Sequence, residues 1–183
     1  MLRWLLDEAH FVHVLAALVL LSRIGDVVST LLVTPTFALE ANALARRFKR
    51  SVMLLGLGLV AVPYYNTALG IVVLVPSLLV TSSNLSRGWV ARALGEQEMV
   101  AFFERAARRT TRASAVGYSI AAAVPFALAA VVLFVLSGGP ESWGYWFALG
   151  MLAYALAMTV HVTSFVLRLI SRVRKETVCV GTG

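Results

Sequence analysis

The sequence predicts an all-α bundle of membrane-spanning helices with one further amphipathic helix at its surface. Three observations carry that expectation. Of 183 residues, 60% are hydrophobic and 14% charged, and the mean hydropathy is +0.84, whereas soluble domains hold about 45–50% apolar and about 25% charged residues. A chain of 19.8 kDa has too little interior to hide that excess, so lipid must solvate most of its surface. Residues 51–86 then form a 36-residue stretch without a charged side chain, and 14 of the 16 basic residues fall into three clusters that abut apolar stretches. Disorder, a disulfide-built secreted domain and an ordinary soluble enzyme are excluded together.

The elements follow from the charges. The clusters are Arg46, Arg47, Lys49 and Arg50; Arg87, Arg92, Arg105, Arg108, Arg109 and Arg112; and Arg168, Arg172, Arg174 and Lys175. Flanks of this kind stay on the cytoplasmic side of a membrane, so the chain crosses an even number of times between them. Residues 113–137 and 143–168 supply one pair of spans around the uncharged turn at Gly138-Gly139-Pro140. The stretch 51–86 is too long for one crossing and is punctuated by Pro63-Tyr64-Tyr65-Asn66, where proline removes a donor and asparagine favours a turn. It divides into spans over about 48–63 and 67–86, the first short enough to be one arm of a re-entrant hairpin. With a first span over about 10–33, the count is five, N-terminus outside and C-terminus inside. The alternative is four spans with one kinked helix over 51–86, which strands four basic residues outside.

Between the third and fourth spans, residues 89–112 read as an amphipathic helix in the headgroup layer. Val90, Leu94, Met99, Val100, Phe102 and Phe103 supply its apolar side. Trp143, Tyr145 and Trp146 form an external aromatic anchor and Trp89 a cytoplasmic one. The whole chain is one integral-membrane domain. Its net charge of +7 belongs to the membrane flanks, with no aromatic-basic interleaving or binding motif for nucleic acid. Arg3 is followed by Asp7 and Glu8 rather than an apolar run, unlike a signal peptide. The lone Cys179 allows no internal disulfide.

The polar residues at membrane depth are the candidate site. At 100° per residue, Arg23, Asp26 and Thr30 lie within about 60° of one another, and Ser22 and Ser29 widen the same sector. Arg23 and Asp26 can pair at i,i+3. Ionised groups at this depth cost several kcal/mol unless paired or wetted and face the bundle interior. Either they fix helix packing, or they line a pocket for an ion, a proton or a lipid headgroup, or Arg23 faces lipid and snorkels to an interface. Pro35 ends or bends the helix. Glu40 and Asn42 follow, Glu40 as a helix cap or as a second carboxylate folded toward Asp26. His161 on the last span either bonds a backbone carbonyl or reaches Asp26. His10 and His13 could share a metal, but the sequence places no third ligand, and no cofactor is expected.

Asp26-x-x-Ser29-Thr30 followed by Glu40-Ala41-Asn42-Ala43-Leu44-x-Arg46 resembles the Asp-x-x-Ser/Thr-Thr and Glu-Ala-Asn-Pro-Leu signatures of small uncharacterised prokaryotic integral-membrane proteins. The resemblance covers residues 20–86 and implies a first helix followed by a two-helix hairpin. It brings no activity with it, and Ala43 stands where those proteins carry proline.

No nucleophile elbow, zinc-protease motif or phosphate loop is present. The expected function is therefore a non-enzymatic ion- or solute-handling unit, or a subunit of a membrane complex, with lipid, further copies or partner subunits around it. The alternatives are an intramembrane enzyme acting on a lipid, with Asp26 or Glu40 as base and Arg23 on a phosphate, and a purely structural subunit.

Overall fold

The computed structural model describes residues 8–36, 38, 47–48 and 50–180. Among these there are helices and turns and no strand. Helix α1 is Glu8–Val33, followed by the short α2 (Arg50–Leu57), a 3₁₀ turn (Gly58–Ala61) and α3 (Val62–Tyr65). Then come α4 (Thr67–Leu94), α5 (Glu96–Arg109), α6 (Arg112–Ser137) and α7 (Trp143–Val180).

By length and apolar composition, α1, α4, α6 and α7 can each cross a membrane. The expected span over 48–63 is instead broken into α2, the 3₁₀ turn and α3. Its apolar part, Leu55–Tyr65, reaches roughly 16 Å, about half of a hydrocarbon core. Pro63 in the first turn of α3 has no N–H to continue the preceding helix.

Helices α1 and α4 run parallel, and this relationship organises the fold. Leu15 lies against Gly70, Arg23 bonds Ser77, and Thr30 bonds Asn84. The pairing advances in the same direction along both helices. Parallel neighbours require the chain to return between them, and the broken segment makes that return: Gly56 sits beside Arg23, and Tyr64 beside His13. The chain therefore traverses the bundle five times, four by long helices and once by short ones. Its described ends, Glu8 and Val180, lie at opposite ends of the bundle. Among the described residues, every Lys and Arg except Arg23 lies toward one end, called here the basic end.

Asn66 explains the turn into α4. Its backbone is extended, and its side chain accepts the Leu69 N–H at 3.0 Å, as a helix-capping asparagine does. Helix α4 then runs past residue 86 to Leu94, so Trp89 belongs to it. The amphipathic helix expected over 89–112 is confined to α5, because Gly95 adopts φ 77°, ψ 156° and breaks the helix there. Thr111 caps α6 by accepting the Ser114 N–H at 3.1 Å.

The main core sits between α1 and α4, where Leu15, Val19, Ile71, Leu74 and Val75 are buried and Trp146 and Met151 of α7 close over them. Small residues bring the helices together. A Cβ on Gly150 would lie 2.8 Å from that of Val75, and one on Gly70 would lie 2.9 Å from both Leu15 and Pro63. Helices α6 and α7 form an antiparallel hairpin, with Phe126 on Tyr154 and Phe134 on Tyr145. The turn uses left-handed Gly138 at φ 70°, and the Trp146 indole donates to the Pro140 carbonyl at 2.8 Å.

Candidate functional site

The helical spacing that places Arg23 and Asp26 on one face also aims that face at α4 and the broken segment. The Arg23 guanidinium donates from Nη1 to Asp26 Oδ2 at 2.8 Å and to Ser77 Oγ at 3.2 Å, and from Nε to the Gly56 carbonyl at 3.2 Å. One cation thus ties α1, α2 and α4 together in mid-bundle. Both charged side chains are 18% exposed, so the pair is shielded without being sealed. A Cβ at Gly56 would overlap Nη2 of Arg23, so any larger residue there would push the guanidinium from this position.

A polar seam continues from this centre toward the basic end. The Thr81 hydroxyl donates to the Ser77 carbonyl at 2.8 Å and lies 3.4 Å from the Ser22 carbonyl. Asn84 donates to Thr30 Oγ1 at 3.0 Å and to Ser29 Oγ at 3.3 Å, and Ser29 donates back to the Asp26 carbonyl at 3.1 Å. Ser77, Thr81 and Asn84 follow an i, i+4, i+7 pattern, one face of a helix. That spacing is visible in the sequence and is the signal that would have found α1's partner face.

At the basic end the seam closes on Glu96, the first residue of α5. Its Oε1 accepts the Thr34 hydroxyl at 2.5 Å and the Ala38 N–H at 3.2 Å, and its Oε2 accepts the Thr36 N–H at 3.0 Å. Pro35 stops α1, and the carboxylate collects N–H groups beyond the stop. Partial burial pushes the Glu96 carboxyl up, but the donors from Thr34, Thr36 and Ala38 outweigh it and hold the group below its ordinary value.

Of the residues expected at the site, Arg23, Asp26, Ser29 and Thr30 are therefore brought together. Glu40 and Asn42 lie outside the described residues. His161 makes no hydrogen bond to Arg23 or Asp26. Since Gly150 packs on Val75 and α7 runs parallel to α4, its register sets it about a turn and a half nearer the basic end than Asp26. His13 shares a 3.1 Å hydrogen bond with the Tyr64 hydroxyl. Among the described residues, no three His, Cys, Asp or Glu side chains gather as a metal site. Comparison with family models, with curated proteins and with solved structures finds no match for this chain.

Proposed function

We propose that this multi-pass membrane protein is a non-enzymatic unit of a prokaryotic cell membrane that handles a small ion or solute at the Arg23–Asp26 centre, with its C-terminus cytoplasmic. The observation that carries the reading is the Arg23 bond to the Gly56 carbonyl. A helix interrupted at membrane depth, with a backbone carbonyl turned to a charged partner, is the arrangement membrane carriers use at their binding sites. Here the resident guanidinium takes the place a cation would hold, and Asp26 neutralises it. Its partial exposure leaves the centre within reach of a small solute. The one-sided placement of Lys and Arg supports the cytoplasmic assignment of the basic end.

The test is flux. Purified protein in liposomes loaded in turn with dyes for H⁺, Na⁺, K⁺ and Cl⁻ is compared with protein-free liposomes. Flux above that background for one ion supports the reading, and none for any of them removes the ion-handling form of it.

A second reading, a subunit whose polar groups only set helix register, is favoured by a separate observation: the guanidinium already has three acceptors. Native mass spectrometry of gently extracted protein separates the two. A fixed partner subunit favours the second, and a homo-oligomer or monomer the first.

A further inference from the structure

We propose that the hollow where α5 meets α7 at the basic end binds one anionic phospholipid. This goes beyond the Arg23–Asp26 reading and is independent of it. The cavity measures about 370 Å³, within the usual range of ligand pockets. Its floor is apolar, built from Val100 and Phe103 of α5 and Phe165 and Leu169 of α7. The Phe103 and Phe165 rings meet edge to face at 5.9 Å. Arg168 and Arg172 line the same cavity. They stand one helical turn apart on α7, and so share a face. A more open hollow on their other flank, beside Leu167 and Ser171, uses the same two arginines.

Charge and depth choose the occupant. Two guanidinium groups above an aromatic and aliphatic floor match a phosphate joined to an acyl chain. Helix α5 is amphipathic and lies at the end of the bundle that carries the cationic flanks, which is headgroup depth. Arg168 is aimed by its Nε, which donates to the Ser164 carbonyl at 3.0 Å. Glu104 of α5 pairs with Arg172 at 3.7 Å, and a guanidinium with five N–H donors can hold such a partner and a phosphate together. Among the described residues, Ala38 also lines the cavity, and its N–H is held by Glu96. The Glu96 clamp therefore shapes the lipid site as well as tying the chain after α1 to α5.

The full-length protein in a neutral detergent, titrated with phosphatidylglycerol or phosphatidylcholine and followed by native mass spectrometry, tests this. One phosphatidylglycerol is expected to bind in preference to phosphatidylcholine. The double variant Arg168→Gln, Arg172→Gln should weaken it about tenfold or more, the order expected for losing charge-assisted hydrogen bonds. The control Arg87→Gln, Arg92→Gln removes the same charge from the same end outside the cavity and should leave binding unchanged. Phe165→Leu, which keeps the charge, should weaken binding of both lipids alike. Equal loss in the control would mean general attraction to basic flanks and overturn the site. Equal binding of the two lipids, full displacement by inorganic phosphate, or dimerisation through this face in place of lipid uptake would overturn it too.

Discussion

Arg23 and Gly56 are 33 positions apart in sequence, yet the Arg23 Nε–H donates to the Gly56 carbonyl at 3.2 Å in mid-bundle. This bond ties the one broken traverse to the first long helix. It predicts that Gly56→Ala is harmful out of proportion to its size, because the new methyl would displace the guanidinium. A loss of about 1–2 kcal/mol is expected, the size of a hydrogen bond to a charged group moderated by its membrane setting. Gly58→Ala has open space around its Cβ and should be close to neutral. Thermal unfolding of the two variants in one detergent reads the difference.

The seam beside Asn84 predicts a second loss of stability. Asn84→Ala removes the donors to Ser29 and Thr30 and should lower stability by roughly 0.5–2 kcal/mol, as interhelical hydrogen bonds in membranes do. Thr81 stands one turn from Asn84 on the same face, so combination with Thr81→Ala should depart measurably from the sum of the two single losses. A denaturant titration of the single and double variants checks both statements.

Glu96 predicts an acid-side dependence. Its folded carboxyl titrates below the ordinary value of 4.5, so the unfolded chain takes up the proton first as pH falls. The stabilisation is fully present above about pH 4.5 and is lost as pH drops through the folded value. Glu96→Gln should therefore be less stable than the parent at neutral pH, and the gap should close on acidification. Unfolding midpoints measured from neutral pH downward would show it.

The parallel packing of α1 and α4 predicts a labelling pattern. In a Cys179→Ser background, Asn66→Cys and Gly138→Cys should react with an impermeant thiol reagent from one side of the membrane, and Gln97→Cys from the other. A four-traverse chain with a kinked helix over 51–86 would bury the position at 66 and leave it unlabelled.

Much of this architecture was legible because charge and helical period are local signals. The basic clusters mark the ends of the traverses, and Pro63 with Asn66 marks the turn that Asn66 in fact caps. The i,i+3 spacing of Arg23 and Asp26 announces their pair. Two features escaped for physical reasons. The amphipathic pattern from Trp89 onward runs smoothly across Gly95, so composition hides a break that depends on one positive φ. The partnership of Glu96 with Thr34 spans 62 positions, and no local spacing encodes it. The α4 stripe of Ser77, Thr81 and Asn84 is different, since its period was present and needed only to be set against that of α1.

The most direct measurement is ion flux through liposomes containing the Asp26→Asn variant, alongside its unfolding temperature and its level in the membrane. Asparagine keeps the shape and can still accept from Arg23 Nη1, but it leaves the guanidinium charge uncompensated. A solute-handling centre predicts a variant that still inserts, unfolds at a lower temperature because the Arg23 charge has lost its partner, and has lost the flux of the parent under conditions where it remains folded. Parent-like flux in the folded variant would contradict it and leave Arg23 and Asp26 as packing residues.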